Sequence, residues 1–300
     1  MSTLTRPEGS EPGDLNLSRR SLAAAAFGGY ALAALSAEAA PIRTDAEGLD
    51  VGTVQIAAGD RLIPAYLARP PGKGAFPTIV VISEVFGVHE YIRDVCRRLA
   101  KLGYVAIAPD LFVRSGDPSA TEDMRKVREI VSGVSDPQVM SDIAATVAYL
   151  KAHDYADRKK LGIVGFCWGG AVAWLACERM KDFRAGVAWY GRLTAPKPGE
   201  FLGEPGRHWP LELVKDLRAP VLGLYAGKDQ GIPLSDVERM RQALAAARKK
   251  GSEIIVYPNA QHGFHADYRA SYDAASAQDG WIRMLQHLRK NGVGSNRPGP

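Results

Sequence analysis

Short apolar runs alternate with amphipathic stretches along most of the chain. Eight runs rich in β-branched residues are bounded by Gly, Pro, Asp or Asn, which predicts eight strands. The first two, "GTVQIAA" and "IPAYLARP", alternate apolar with other residues, a pattern typical of antiparallel strands. The later runs are continuously apolar, as parallel strands are when both faces are buried: "TIVVISE", "VAIAPDL", "LGIVGF", "AGVAWYG", "VLGLYAG" and "EIIVYPN".

Helical patterns separate the later runs. They lie near residues 91–102, 138–153, 168–180, 235–250 and 268–290. Alternation of strand and helix predicts an α/β fold, with an approximately eight-stranded, mostly parallel sheet and helices on both faces. Such sheets carry their active sites at the carboxyl ends of the strands, so the residues that follow each run are the functional candidates.

Length and composition favour one large domain. The chain has 300 residues, 46% of them hydrophobic, which is enough for a substantial core, and we place the domain at residues 41–290 with a disordered tail at 291–300. The net charge of +5 is scattered, with no basic block longer than a pair or two, which argues weakly against a nucleic-acid partner. We therefore expect a small-molecule substrate and a monomer or small homo-oligomer.

The amino-terminal segment predicts export. In "LSRRSLAAAAFGGYALAALSAEAAP", Arg19 and Arg20 precede an apolar run from Leu22 to Leu35 and a small-residue cleavage site. Paired arginines are typical of twin-arginine (Tat) signals, so residues 1–40 predict contact with the Tat export machinery and a periplasmic or secreted protein. The apolar run has 14 residues, fewer than the roughly 20 that span a bilayer, which argues against a permanent membrane anchor. The alternative is a disordered, alanine-rich extension.

One of the three cysteines stands apart. Cys96 and Cys177 lie in helical patterns among apolar neighbours, where cysteine usually behaves as a small buried hydrophobe. Cys167 follows a strand and precedes a helix as Gly165-x-Cys167-x-Gly169, which is the pattern of a nucleophile elbow with cysteine in the place of serine. The alternative is a glycine-rich turn with an incidental cysteine.

Two other strand ends supply partners for this cysteine. Asp229 follows "VLGLYAG" and His262 follows "EIIVYPN", so the chain order is nucleophile, acid, histidine, as in the α/β-hydrolase fold. Histidine can take the thiol proton and return it to a leaving group, and an aspartate would fix its tautomer. His265 and His208 compete with His262 for this role, and Asp229 alone could be a turn residue.

Nothing in the pattern requires a metal or cofactor. No cluster has zinc-ligand spacing, and no phosphate-binding glycine motif follows a strand. The backbone N–H of Trp168, at the start of the predicted helix, would instead stabilise an oxyanion.

From about residue 50 to residue 290 the chain resembles the dienelactone hydrolases (carboxymethylenebutenolidases). The segments that carry the likeness are "GFCWGG", "ISEVFGVHEYIRDVCRRLAKLGYVAIAPDLFVR", "YAGKDQGIP" and "YPNAQHGFH". The resemblance implies a nucleophilic Cys167 with Asp229 and His262. It also implies that the Val85 N–H is the second oxyanion donor and that Glu84 contacts the resting thiol.

The resemblance further implies that Arg114 binds a substrate carboxylate. Family members often carry a second arginine close behind the histidine, where this chain has Ala266 and Asp267. Whether Arg269 or Arg192 replaces it is left open by the sequence. The expected function is hydrolysis of a lactone or small ester through a cysteine thioester. The alternatives are a general periplasmic carboxylesterase and a non-catalytic, ligand-binding relic of the fold.

Overall fold

The computed structural model of the protein describes residues 41–197, 200–203 and 206–295. The predicted export signal at residues 1–40 lies outside this range and stays a prediction. Of the predicted tail, residues 296–300 also lie outside it. Val293 is buried in the core, so the ordered domain extends past residue 290. Within the described ranges, no helix has both the length and the apolar character needed to cross a bilayer.

The described residues form one sheet of eight strands. In chain order, β1 to β8 are Asp50–Ala57, Leu62–Arg69, Phe76–Ile82, Val105–Pro109, Ala156–Phe166, Ala185–Trp189, Val221–Ala226 and Glu253–Tyr257. Their order in the sheet is β1-β2-β4-β3-β5-β6-β7-β8. The pairs β1–β2 and β2–β4 are antiparallel and all later pairs are parallel, as the sequence predicts. Strands β3, β4, β6 and β7 are buried at every position, which explains their continuous apolar runs.

Helices cover both faces of the sheet. The described residues form seven α-helices, α1 to α7: Glu90–Lys101, Met124–Ser132, Asp136–Ala152, Trp168–Arg179, Pro210–Leu213, Leu234–Ala246 and Ala274–Lys290. Helices α2, α3, α4 and α6 pack into one hydrophobic cluster, and α1 and α7 pack into a second cluster on the other face. This arrangement confirms the predicted α/β-hydrolase fold.

The structure differs from the predicted helices in two places that matter later. Helix α2 was not predicted, because it is short and only Val127, Ile130 and Val131 are buried. The helix predicted from residue 268 begins at Ala274, where the side chain of Asp273 accepts a hydrogen bond from the Ser276 N–H and caps it. Residues 268–273 therefore form turns and irregular structure, from which the side chains of Tyr268 and Arg269 contact Glu84.

The two remaining cysteines are structural. Cys96 and Cys177 are fully buried in α1 and α4, as predicted for small core hydrophobes. Burial raises the pKa of both thiols well above the ordinary value, which keeps them protonated and unreactive. Cys167 is the most accessible of the three thiols.

A buried carboxyl group in α4 predicts an unusual pH dependence of stability. Glu178 is 1% exposed, and neither carboxyl oxygen has a hydrogen-bond partner among the described residues. Burial raises the pKa of Glu178 from 4.5 to about 9, and the positive charge of Arg179 offsets only part of this effect. The folded protein therefore keeps the group neutral, whereas the unfolded chain ionises it, and stability falls as the pH rises from about 4.5 to about 9.

We expect Glu178→Gln to remove this dependence. The variant should be more stable than the parent by about 3 kcal/mol at pH 7 and nearly equal to it at pH 4.5, because the penalty grows by about 1.4 kcal/mol per pH unit. Urea unfolding at several pH values measures the difference. Glu129→Gln is the control, because Glu129 is exposed on α2. Parallel pH profiles for the parent and Glu178→Gln would contradict the expectation.

Candidate active site

Cys167 occupies a strained turn between β5 and α4. Its backbone has φ 54° and ψ −117°, in a region that favours glycine. A Cβ on Gly165 would lie 1.8 Å from the carbonyl oxygen of Gly169, and one on Gly169 would lie 2.4 Å from that of Ile82. The turn therefore requires glycine on both sides of the cysteine, as the elbow pattern predicts.

Three predicted side chains form one hydrogen-bonded chain. The Nε2 atom of His262 lies 3.2 Å from Sγ of Cys167, and its Nδ1 atom lies 2.7 Å from Oδ2 of Asp229. The other carboxylate oxygen of Asp229 accepts hydrogen bonds from the N–H groups of Gly231 and Ile232, at 2.8 and 3.1 Å. These amides hold the carboxylate towards the imidazole.

The electrostatics of this chain favour a charged histidine. Burial alone would lower the pKa of His262, but the coulombic interaction with Cys167 and the hydrogen bonds that His262 makes to Asp229 and Cys167 outweigh it. Together they raise the pKa to about 10. A protonated His262 therefore lies 3.2 Å from the Cys167 sulfur, and a neighbouring imidazolium is one of the environments that activate a cysteine thiol.

The structure separates the three candidate histidines. His265 lies in the core, where its Nδ1 atom is 2.6 Å from the hydroxyl of Tyr91 and its ring stacks on Trp281. Burial, with a smaller effect of Arg98, holds the pKa of His265 well below its ordinary value, so it is neutral. His208 is exposed in the segment between β6 and β7. Only His262 contacts Cys167.

Glu84 follows β3 and is fully buried. Its carboxylate accepts hydrogen bonds from the Tyr268 hydroxyl at 2.6 Å and from Nη2 of Arg269 at 3.0 Å, and Nε2 of His89 lies 3.6 Å away. Burial alone would raise the pKa of Glu84, but Arg269 and then His89 lower it to about 2, so the group is ionised. In the described part of the chain the hydrogen-bond and ion-pair partners of Glu84 are Tyr268, Arg269 and His89, and no hydrogen bond joins it to Cys167.

The side chain of Arg269 lies against Gly263, the residue after His262, and reaches Glu84. Gly263 has φ +79°, and a Cβ there would lie 3.0 Å from Cδ of Arg269. The guanidinium lies over the rings of Phe86 and Tyr268 and contacts the buried carboxylate. Arg269 therefore pairs with the buried Glu84 carboxylate beside the site. The sequence pattern predicted a helix over residues 268–273, and for this reason it predicted neither this pairing nor the hydrogen bond from the Tyr268 hydroxyl to Glu84.

Arg114 is not brought to the site. Its guanidinium forms ion pairs with Asp60 and Asp142, both at 2.6 Å, and it does not line the cavity beside Cys167. The two carboxylates come from the β1–β2 turn and from α3, so they anchor the segment after β4 to its neighbours. The predicted role of Arg114 in binding a substrate carboxylate has no support from this geometry.

A cavity of about 440 Å³ opens beside Cys167 and His262. Val85 and Trp168 line it, so the two predicted oxyanion donors lie on the same cavity as Cys167. Trp168 is also the first residue of α4, where the helix dipole favours negative charge. The positions of both residues agree with the predicted oxyanion hole, which remains a prediction about their N–H groups.

The cavity has an apolar wall that the sequence analysis did not predict. It consists of Phe201, Leu202 and Trp209, from the connection between β6 and β7. Tyr190, with φ +40°, packs its ring edge-on against His262 at 5.2 Å between centroids. No sequence motif predicts the apolar wall or the position of the Tyr190 ring, because both depend on how the loop after β6 folds over the strand ends.

In the described residues, no group of three or more His, Cys, Asp or Glu side chains could hold a metal ion.

Comparison with known proteins agrees with this geometry. A sequence profile of the dienelactone hydrolase family matches residues 63–292. A Methylorubrum extorquens protein named "Putative carboxymethylenebutenolidase" is 50% identical over 280 residues, which cover 92% of this chain and 94% of that protein. An Escherichia coli protein of the same name is 46% identical over 88% of this chain and 96% of its own length.

A solved structure shows the same likeness. The crystal structure of a Klebsiella pneumoniae protein named "Putative Dienelactone Hydrolase" matches with a TM-score of 0.75 and 45% identity. The match covers 81% of this chain and 99% of that one. At this identity the likeness extends beyond the fold to the sequence.

Proposed function

Because the chain belongs to the dienelactone hydrolase family of hydrolases, we propose that it opens a lactone or small carboxylic ester through a thioester on Cys167. The observation that carries the proposal is the hydrogen-bonded chain Cys167–His262–Asp229 at the edge of an open cavity. A general carboxylesterase with another substrate range is the second candidate, favoured by the apolar wall of the cavity. A non-catalytic relic would not account for a hydrogen-bonded chain of Cys167, His262 and Asp229 at the edge of an open cavity.

The first half of the reaction forms the thioester. The Cys167 thiolate adds to the carbonyl carbon, and the resulting oxyanion accepts hydrogen bonds from the backbone N–H groups of Trp168 and Val85. The imidazolium of His262 then donates its Nε2 proton to the departing alkoxide as the C–O bond breaks. For a lactone, the alcohol remains attached to the acyl group.

The second half uses the change in charge at sulfur. Once Cys167 is acylated, its negative charge no longer raises the pKa of His262, and burial favours the neutral imidazole. The neutral ring can accept a proton from water, whose oxygen attacks the thioester carbonyl. The C–S bond breaks, the acid leaves, and the proton on His262 restores the thiolate–imidazolium pair. Asp229 keeps Nδ1 protonated throughout.

Trapping the intermediate tests this proposal. Acid quenching during turnover of p-nitrophenyl acetate, followed by peptide mass spectrometry, should place an acetyl group on Cys167. Cys96 and Cys177 are internal controls, because burial keeps their thiols protonated. Hydrolysis with an acyl group on another side chain, or with none at all on Cys167 in a rapid quench, would refute the thioester route. Comparison of aryl acetates with lactones then separates the two candidate substrate ranges.

A further inference from the structure

A second, smaller cavity shares a wall with the cavity beside Cys167. Its volume is about 20 Å³, close to the space that one water molecule needs, so it cannot hold a substrate by itself. Trp168 and Ala171 of α4 line both cavities, and so do Leu202 and Trp209 of the apolar wall. The wall therefore separates two spaces that lie along the same side of α4.

The second cavity offers an apolar surface. Its polar groups have protein partners: Asp136 accepts a hydrogen bond from the His208 N–H at 2.7 Å. The Arg207 guanidinium donates to the carbonyls of Val131 and Ser132, at 3.2 and 3.3 Å. The residues that line only this cavity and are apolar are Val139, Met140, Val172 and Leu175. A chain that entered from the first cavity would therefore meet mainly hydrocarbon.

The backbone fixes the position of the Leu202 side chain between the two cavities. Leu202 has φ +67°, a conformation that is costly for a branched side chain and is kept only where the surroundings enforce it. A Cβ on Gly203 would lie 2.6 Å from the carbonyl oxygen of Lys197, so the turn is tightly closed. The Arg128 guanidinium lies over the Phe201 ring, 5.5 Å from its centroid. The wall is thus attached to α2 at this end as well.

Topology indicates which part of an ester would face the wall. In the proposed reaction the leaving oxygen lies at Nε2 of His262, which is 3.2 Å from Sγ of Cys167. His262 follows β8, at one edge of the sheet, whereas the wall is attached to α2 and α3, which connect β4 to β5. The acyl chain leaves the carbonyl carbon on the side away from the leaving oxygen, so it would extend towards the wall.

We propose that Leu202 is a specificity-determining residue that ends a subsite for an apolar acyl chain. The substrate class is then esters or lactones of short apolar carboxylic acids, such as those with a butyryl group. The chain packs on Leu202 and Trp209, and the second cavity stays closed to it as long as Leu202 keeps its full side chain. This inference rests on the proposed function and names the substrate class of the same site.

A series of p-nitrophenyl esters tests the proposal, because the leaving group stays constant while the acyl chain lengthens. In the parent, kcat/KM should rise from acetate to butyrate and fall at octanoate, whose chain would collide with Leu202. Leu202→Ala should raise the ratio of kcat/KM for octanoate over butyrate by about 10- to 50-fold, since each further buried methylene adds roughly fourfold. Leu202→Phe should shift the preference the other way, towards acetate.

The matched control is Leu175→Ala. It removes the same atoms from a buried residue that lines only the second cavity, so the ratio should stay within about twofold of the parent. The double variant Leu202→Ala/Leu175→Ala should favour octanoate more than Leu202→Ala does. Equal rises in Leu175→Ala and Leu202→Ala would show a general loosening of the packing and would overturn the proposal. Unchanged ratios in both Leu202 variants would also overturn it.

A second readout does not depend on turnover. The rate at which N-octylmaleimide modifies Cys167, divided by the rate for N-ethylmaleimide, should rise in Leu202→Ala and not in Leu175→Ala. If this ratio rises but the parent hydrolyses none of the esters, the proposed function fails and the apolar subsite stands. If the esters are hydrolysed and neither ratio changes, only the proposal for Leu202 fails.

Discussion

Cys167→Ala is expected to lower kcat for any ester or lactone substrate by at least about 10⁴-fold. Without sulfur the proposed thioester cannot form, and His262 loses its hydrogen-bond partner at 3.2 Å. The cavity and the proposed oxyanion donors remain, so substrate binding should persist and KM should change little. Steady-state hydrolysis of an aryl ester by the purified variant, with the folded state checked by circular dichroism, measures the loss.

The matched control is Cys96→Ala. Cys96 is fully buried in α1, and its removal tests whether loss of a thiol from the core affects activity indirectly. This variant should keep activity within a few-fold of the parent, although it loses some stability. Retention of a tenth or more of the parental kcat in Cys167→Ala would show that another residue is the nucleophile.

Arg269→Met is expected to lower the free energy of unfolding by about 3 kcal/mol. The substitution leaves the carboxylate of Glu84, which is fully buried, without its charged partner at 3.0 Å. Removal of one member of a buried pair usually costs 3 to 5 kcal/mol, roughly, because the other charge stays desolvated. The hydroxyl of Tyr268 and the ring of His89 remain as partners, which places the expected cost at the lower end. Urea unfolding at pH 7 gives the value.

A second substitution distinguishes an unpaired charge from lost packing. In the double variant Arg269→Met/Glu84→Gln the buried group is neutral, so at least half of the lost stability should return. Arg239→Met is the surface control, since Arg239 is 60% exposed and pairs with Asp236 at 3.2 Å. Its effect should stay below about 1 kcal/mol. Equal instability of the double and single variants would assign the effect to packing of the Arg269 side chain.

Much of the site was predictable because it lies at strand ends. The period of the apolar runs located the strands, and the parallel topology brings the residues after β5, β7 and β8 to one edge. Cys167, Asp229 and His262 follow those three strands, so their juxtaposition follows from topology and needs no knowledge of loop structure. The glycines beside Cys167 follow from steric exclusion alone.

The partners of the arginines could not be predicted in the same way. Arg114 meets Asp60 and Asp142, which are 54 and 28 residues away along the chain. Arg269 meets Glu84 across 185 residues, from a segment that was predicted to be helical. A charged side chain has several rotatable bonds and many possible partners, so its contacts depend on tertiary packing and not on local pattern.

The residues of the apolar cavity wall and the residues proposed to react with the substrate come from different segments of the chain. Phe201, Leu202 and Trp209 come from the single connection between β6 and β7, whereas Cys167, Asp229 and His262 follow other strands. Sequence drift in that connection can reshape the cavity while the reacting groups keep their positions. Close relatives could thus diverge in the compounds they consume while sharing one reaction. For the same reason, residues 193–213 are the segment to randomise when a new substrate range is sought by directed evolution.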